Sequence, residues 1–109
     1  MEFATLLSSH NGKPMLGLVG EIDIATVPRC SDAINKFVTD NAGTDLLLDF
    51  SHLTALDDTG LGIILGAAGR ARNAGGDIAL VVADERMRQR LDITGLSRAL
   101  RVHHSVNEA

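Results

Sequence analysis

Short apolar runs alternate along this chain with segments whose apolar residues recur at helical spacing, and this alternation restricts the possible folds more than any other feature. The runs are residues 3–9, 15–22, 45–50, 78–82 and 100–103. The first two flank Asn11-Gly12, a dipeptide that suits the positive φ angles of a tight hairpin turn. The last three each follow a helical pattern, which is typical of parallel strands joined by crossover helices. We therefore predict an opening antiparallel hairpin followed by parallel strands.

Three amphipathic helices are predicted between these strands. The first begins at Thr26, a plausible cap, and the third begins at Asp84, also a cap, and ends near Gly95. The second covers residues 60–74, and Gly75-Gly76 supplies its stop. The apolar residues that we expect the three helices to bury are Val27, Cys30, Ile34, Phe37 and Val38, then Leu61, Ile64, Leu65, Ala68 and Ala71, and finally Met87 and Leu91.

The order of elements is therefore ββαβαβαβ, which predicts an α/β fold with a mixed, mostly parallel sheet and helices packed against it. A length of 109 residues with 45% hydrophobic residues suits one core, so we interpret residues 1–109 as a single domain. No stretch approaches the roughly 18 apolar residues of a membrane span, and the N-terminus lacks the pattern of a signal peptide. Cys30 is the only cysteine, which fits a reducing compartment. We expect a cytoplasmic protein without membrane insertion.

Charge and aromatic content limit the classes of partner. The formal net charge is -4, and 3% of the residues are aromatic, with no Trp or Tyr. Binding to a nucleic-acid backbone depends on clustered Lys and Arg, and single-stranded nucleic acid is also bound by aromatic stacking. Direct binding of nucleic acid is therefore not expected. We interpret the arginines of the last two predicted helices as solvated helix faces, with partner contact as an alternative; they are Arg70, Arg72, Arg86, Arg88 and Arg90.

Two adjacent carboxylates, Asp57 and Asp58, stand where the second predicted helix begins. A helix N-terminus has unpaired N–H groups and the positive end of the helix dipole, so an acidic residue is favourable there by about 0.3–1 kcal/mol at an exposed site. Capping explains one of the two residues but not both. The segment that begins with them is therefore the candidate functional site.

Three segments of the chain resemble the STAS domain family. The segment DDTGLGIILGAAGRARNAGGDIALV, which begins at Asp57, is similar to the STAS signature, in which Asp-Ser-Ser/Thr-Gly-Leu opens the helix and Gly-Gly closes it. Gly20–Asp23 (GEID) is similar to the family's Gly-Glu-Leu-Asp, and Leu91–Leu96 (LDITGL) to its Leu-x-x-x-Gly-Leu. The segments keep the family's order and spacing over nearly the whole chain. The resemblance implies the STAS fold, which agrees with the predicted order of elements.

The resemblance also implies the function of a bacterial anti-sigma factor antagonist. In that class, the Ser after the signature Asp is phosphorylated by an anti-sigma factor with a histidine-kinase-like ATPase fold. The unphosphorylated form binds this partner and frees the sigma factor. This implies a protein-binding module rather than an enzyme, with no cofactor. The partner-binding residues that it implies are Asp23, Thr26, Asp57, Asp58, Thr59, Gly60 and Leu61.

Asp58 matches the position of the phosphorylated Ser and has no hydroxyl group to accept a phosphate. In one hypothesis, Asp58 imitates the phosphorylated state and weakens binding, although phosphoserine carries about -1.5 to -2 charges and Asp at most one. In the other, the partner has adapted to Asp58, and binding is constitutive and independent of ATP. Thr59 is an alternative phosphoacceptor, but we favour a first-turn Thr whose hydroxyl bonds to the backbone. Asp23 and Thr26 could equally be a turn residue and a helix cap.

Other functions are compatible with the same fold. STAS domains also serve as accessory subunits of lipid or solute transporters, and a scaffold subunit of a larger STAS assembly is a further alternative. Similar proteins usually continue into a final helix where this chain has residues 105–109, so we expect that helix to be short or missing. The sheet surface exposed in that way would be available for self-association.

An enzymatic function is not expected from the residues. Gly60-x-Gly62-x-x-x-Gly66 is similar to a dinucleotide-binding loop. However, residues 51–59 are predicted to form a long connection where a tight turn is needed, and Asp57 and Asp58 would repel a pyrophosphate. We expect these glycines to allow close helix packing instead. The histidines show no i, i+4 metal spacing, and no catalytic triad can be assembled.

Overall fold

A computed structural model describes residues 3–109 and contains a five-stranded sheet in the order β1-β2-β3-β4-β5. The strands are β1 (Ala4–His10), β2 (Lys13–Ile22), β3 (Asp45–Leu56), β4 (Asp77–Val81) and β5 (Arg101–His103). β1 pairs with β2 in the antiparallel direction, and the other neighbouring strands pair in parallel. The predicted mixed, mostly parallel sheet is therefore confirmed.

The opening hairpin has the turn that the sequence predicts. His10 pairs with Lys13 across Asn11 and Gly12, whose φ angles are 52° and 79°. Positive φ at both central residues defines the type I′ turn, which matches the right-handed twist of the two strands.

The helices are α1 (Val27–Asp40), α2 (Asp58–Asn73), α3 (Glu85–Thr94) and the short α4 (Leu96–Ala99). The side chain of Asp84 accepts hydrogen bonds at the start of α3, and Gly95 ends this helix with a φ of 83°. Both features are as predicted, whereas α4 was not expected. A 3₁₀ turn, Val106–Glu108, stands where a final helix was expected to be short or missing.

α2 ends at the Gly75-Gly76 pair, as predicted. The N–H groups of these glycines donate to the carbonyl oxygens of Arg72 and Ala71, at 3.0 and 2.9 Å, in the pattern of a Schellman motif. Gly75 has a φ of 94°, and a Cβ atom on Gly76 would collide with the backbone of Thr44. Two glycines are therefore needed here for two different reasons, one conformational and one steric.

β3 is longer than predicted, because it continues from Phe50 to Leu56. Two irregularities in the pairing with β2 allow the ladder to continue through this polar segment. Leu53 and Leu56 point into the core, while Ser51 is exposed. The prediction of a long connection over residues 51–59 was therefore wrong, since the strand leads almost directly into α2.

One apolar cluster joins all four helices to one face of the sheet. Representative members are Leu18, Leu48 and Leu80 from the strands and Ile34, Ile64 and Leu91 from the helices. The predicted apolar faces are confirmed except at Val27, which is half-buried, and Leu65, which is exposed. Among residues 3–109, no helix is long and apolar enough to cross a membrane.

Candidate functional site at the start of α2

Asp57 connects β3 to α2 and caps the helix. Its carboxylate accepts a hydrogen bond from the backbone N–H of Gly60 at 3.2 Å, and its own N–H donates to the carbonyl oxygen of Ile22 at 3.0 Å. The second bond attaches the helix start to the end of β2. The first turn of α2 therefore lies at the carboxyl edge of the two central strands, and the capping role considered for one of the two carboxylates belongs to Asp57.

Asp58 has a different environment from its neighbour. It is the first helical residue, and its side chain is 89% exposed. One of its oxygens, Oδ1, lies 2.8 Å from Nη2 of Arg90 on α3, whose side chain is 39% exposed. Arg90 was interpreted from the sequence as part of a solvated helix face. Its ion pair with Asp58 has no local sequence signal, because the two residues are 32 positions apart.

The remaining residues of the signature divide into exposed and buried groups. Thr59 is exposed, and its hydroxyl makes no hydrogen bond within the described part of the chain. The interpretation of Thr59 as bonded to the backbone was therefore wrong. Gly60 and Leu61 are buried. A Cβ atom on Gly60 would lie 2.5 Å from Cδ1 of Leu56 and 2.7 Å from Cγ2 of Ile22, so this glycine lets α2 approach the sheet.

Reciprocal hydrogen bonds join Asp23 and Thr26 in the loop between β2 and α1. Oδ1 of Asp23 accepts from the backbone N–H groups of Ala25 and Thr26, at 2.9 and 3.0 Å. Oγ1 of Thr26 accepts from the N–H of Asp23 at 2.9 Å and donates to the carbonyl oxygen of Glu21 at 2.8 Å. Thr26 is buried and occupies the N-cap position, but its side chain does not cap α1. The predicted cap is therefore corrected to a hydroxyl that braces the loop.

Backbone bonding brings the two predicted segments together at one edge of the sheet. Ile22 precedes the loop, pairs with Leu56 and accepts the hydrogen bond from Asp57. The loop also exposes Ile24, an apolar side chain that was not singled out from the sequence. We name as the docking face, after the partner binding that the family resemblance implies for these residues, the loop Asp23–Thr26 together with the first turn of α2, Asp57–Leu61. Its exposed side chains include Ile24, Asp58 and Thr59.

A family model described as STAS domain matches residues 7–109. The chain belongs to the STAS domain family. Among its curated relatives, the anti-sigma-B factor antagonist of Listeria monocytogenes is 29% identical over 91 residues, which cover 84% of this chain and 79% of that protein. The anti-sigma-F factor antagonist RsfB of Mycobacterium tuberculosis is 29% identical over 103 residues, covering 94% and 83%.

The solved structures include one of an anti-sigma factor antagonist from Mycobacterium paratuberculosis with a TM-score of 0.87. It is 25% identical in sequence, and the similarity covers 98% of this chain and 90% of that one. The fold of this STAS domain, with an antiparallel opening hairpin and parallel strands thereafter, is thus shared with an antagonist along almost its full length.

The glycines of this STAS domain do not form a dinucleotide-binding loop. The argument from a long connection was wrong, since only Asp57 separates β3 from α2. The N–H of Gly60, which would face a phosphate, already donates to the Asp57 carboxylate. Close packing explains Gly60 alone of the three glycines. Apart from the backbone of α2 itself, a Cβ on Gly62 would meet no atom within 4 Å, and one on Gly66 would meet only the end of the Arg70 side chain. Within residues 3–109, no cluster of His, Cys, Asp and Glu could hold a metal ion.

Proposed function

We propose that this STAS protein is an anti-sigma factor antagonist whose binding to its partner does not depend on phosphorylation at position 58. The observation that carries the proposal is the exposed carboxylate of Asp58 at the start of α2, where the family signature has the phosphorylated Ser. The curated relatives named anti-sigma factor antagonists support the general function. The partner that we propose is an anti-sigma factor with a histidine-kinase-like ATPase fold, and its capture would free a sigma factor.

The docking face is preorganised, so it can bind a folded partner without changing its own conformation. Its loop is braced by the hydrogen bonds between Asp23 and Thr26, and its helix start is fixed by the Asp57 cap. A preorganised surface loses little conformational entropy on association, which favours affinity. Ile24 supplies exposed apolar area beside the polar side chains of Asp58 and Thr59. We therefore assign partner contact to these exposed residues and support of the face to Thr26, Gly60 and Leu61.

The Asp58 and Arg90 pair lacks the net negative charge that a phosphorylated Ser would have beside the same arginine. Asp58 carries one negative charge, and the guanidinium of Arg90 compensates it at 2.8 Å. A phosphoserine in this place would carry about -1.5 to -2 charges and three acceptor oxygens, which a single arginine would not neutralise. Beside the same arginine, the net charge of the pair is about +1 with Ser, 0 with Asp58 and about -0.5 to -1 with phosphoserine. Paired with Arg90, Asp58 therefore adds no net negative charge to the docking face, and this supports binding rather than permanent mimicry.

The direct test is a binding experiment with and without ATP. The wild-type protein and Asp58→Ser serve as bait in a lysate of the native cell, and retained partners are identified by mass spectrometry. Binding of the recovered partner is then measured by calorimetry before and after incubation with Mg-ATP. The matched control is Asp45→Ser, which removes an exposed carboxylate at the opposite end of β3.

We expect the wild type and Asp45→Ser to retain an anti-sigma factor equally well with and without ATP. Asp58→Ser should bind it within about fivefold of the wild-type affinity without ATP, because an exposed ion pair contributes at most about 1 kcal/mol. With ATP, the new hydroxyl should be phosphorylated and binding should fall. Recovery of a transporter ATPase without any anti-sigma factor would contradict the proposed function.

Thr59 provides the test of phosphorylation independence, because its hydroxyl is exposed and makes no hydrogen bond in the described residues. If ATP weakens binding of the wild type and Thr59→Ala abolishes that effect, Thr59 is the phosphoacceptor. That result would refute the claim that binding is constitutive while leaving the antagonist function in place.

A further inference from the structure

In the part of the chain that the structure describes, β1 forms an outer edge of the sheet, and its residues 4–9 have none of the usual protections of an edge strand. Residues 4–9 contain no charged residue and no proline, and their pairing with β2 is regular. Natural edge strands are normally protected by charges, proline or bulges, because an unprotected edge pairs with other strands. Leu6 and Leu7, on opposite faces, are 61% and 73% exposed. The edge therefore combines open backbone groups with two exposed leucines.

The hairpin register shows which backbone groups of β1 are open. His10 and Lys13 flank a two-residue turn, so they form a hydrogen-bonded pair, and such pairs alternate with non-hydrogen-bonded pairs along an antiparallel ladder. Ser9 is opposite Pro14, which has no N–H, in agreement with a non-hydrogen-bonded pair. By this alternation, the N–H and C=O groups of Thr5, Leu7 and Ser9 point away from β2.

An apolar groove runs beside this edge on the helix face of the sheet. Its volume is about 360 Å³, and its lining includes Thr5, Leu7, Leu16, Ala33 and Phe37. The charged residues at its rim, Lys36 and Asp40, form an ion pair at 3.0 Å and so present little net charge. The groove can therefore accept an apolar side chain that arrives along the edge of β1.

We propose that β1 pairs in the antiparallel direction with β1 of a second copy of this chain, centred on Leu6. This register places Thr5 opposite Leu7 of the second copy, and both residues have outward backbone groups that can form hydrogen bonds. Leu7 of the second copy then lies over Thr5 at the groove. On the other face, the two Leu6 side chains meet across the twofold axis. The result is a continuous ten-stranded sheet.

The features of the edge favour a second copy as its occupant. An uncharged strand can face itself without placing like charges opposite each other, which would destabilise the pair. The register matches a large side chain with a small one on the helix face, and it places the two remaining leucines together on the other face. The groove lies beside the C-terminal half of α1, where Phe37 and Asp40 are found, whereas the docking face lies before its N-terminus. Dimerisation therefore leaves the docking face open and does not depend on the proposed function.

Disulfide cross-linking tests the pairing and its register together. In a non-hydrogen-bonded antiparallel pair the facing Cβ atoms are about 4.5–5.5 Å apart, so two Cys side chains at the centre can be bridged after a small adjustment. We expect Leu6→Cys to form a covalent dimer under mild oxidation. Ser8→Cys is the matched control and should remain uncross-linked, because it lies opposite Ala4 of the second copy. The native Cys30 is buried, and burial raises the pKa of its thiol to about 11, so it does not compete.

Light scattering after size-exclusion chromatography tests the interface without a covalent bond. We expect the full-length wild type to have twice the mass of one 11.5 kDa chain. Leu7→Lys should raise the dimer dissociation constant at least about tenfold, because it places like charges at the edge. The control Ile93→Lys changes an apolar side chain on α3 that is 85% exposed and should leave the dimer unchanged. A monomeric wild type, or cross-linking of Ser8→Cys in place of Leu6→Cys, would overturn the proposal.

Discussion

The paired substitutions Gly60→Ala and Gly62→Ala measure how tightly α2 packs against the sheet at the docking face. Both glycines are in the first turns of α2. An alanine at position 60 would place its Cβ 2.5 Å from Cδ1 of Leu56 and 2.7 Å from Cγ2 of Ile22, both buried side chains. At position 62 the added Cβ would meet no atom within 4 Å other than the neighbouring backbone of its own helix. The two variants therefore differ in packing but share the same change of backbone propensity.

The two substitutions are expected to change the free energy of unfolding in opposite directions. Alanine is favoured over glycine within a helix by roughly 0.5–1 kcal/mol, so Gly62→Ala should stabilise the protein by about that amount. Overpacking of a well-filled core costs about 1–3 kcal/mol. At position 60 this cost exceeds the gain in propensity, so Gly60→Ala should lower the stability by up to about 2 kcal/mol. The difference between the two variants isolates the packing cost.

Urea denaturation followed by far-UV circular dichroism would give the free energy of unfolding of both variants. The comparison requires that the dependence of this free energy on urea concentration has the same slope as in the wild type. Thermal unfolding is an independent check, since 1 kcal/mol corresponds to about 4–8 °C in domains of roughly 60–100 residues. Equal stabilisation by the two substitutions would contradict this prediction. It would mean that the start of α2 is free to move away from β2 and β3, and that the docking face is not held in one position.

Three further predictions concern the residues that support the docking face and the core. Asp57→Ala removes the helix cap and should lower the free energy of unfolding, measured by urea denaturation, by about 0.5–2 kcal/mol. A smaller change would show that the hydrogen bond to Gly60 does not stabilise the protein as a helix cap does. Thr26→Val keeps the shape but leaves the carbonyl oxygen of Glu21 without this donor, so we expect a loss of about 1–3 kcal/mol in the same assay. Cys30 should resist Ellman's reagent at pH 8 until urea unfolds the protein, because burial raises the pKa of its thiol to about 11, and rapid reaction in the native state would contradict this burial.

The two adjacent aspartates show how far local reasoning extends. The acidic pair and the helix start were evident in the sequence, and so was the conclusion that one cap does not need two carboxylates. Which residue caps the helix depends on backbone geometry: Asp57 is extended, with ψ at 176°, and can reach the N–H of Gly60. Asp58 is already helical, and its partner, Arg90, is brought near by the packing of α3 rather than by the chain between them.

Three of the wrong predictions have identifiable physical causes. Local periodicity ended β3 at Phe50, but pairing with β2 carries the strand to Leu56 through polar residues. The helical pattern placed Leu65 in the core, but the face of α2 that contacts the sheet is narrower than its apolar stripe. Thr26 occupies a capping position by sequence, yet the carbonyl oxygen of Glu21 and the N–H of Asp23 hold its hydroxyl. Pairing between strands extended β3, and the packing of α2 left Leu65 outside the core, whereas the hydroxyl of Thr26 is held by other local hydrogen bonds within its own loop.

Local sequence patterns were sufficient to predict the order of the five strands and three longer helices, the hairpin turn at Asn11-Gly12 and the position of the candidate site at the start of α2. These features depend on neighbours within a few residues, through backbone dihedral angles and the periodicity of apolar side chains. Three-dimensional packing was needed to establish that Arg90 pairs with Asp58 and that β1 is an outer edge of the sheet. It also supplied the hydrogen bond from Asp57 to Ile22 that joins the Asp23 loop to the start of α2, a proximity that the family resemblance only implied. These features depend on distances between residues remote in the chain, which are set by the packing of the whole core.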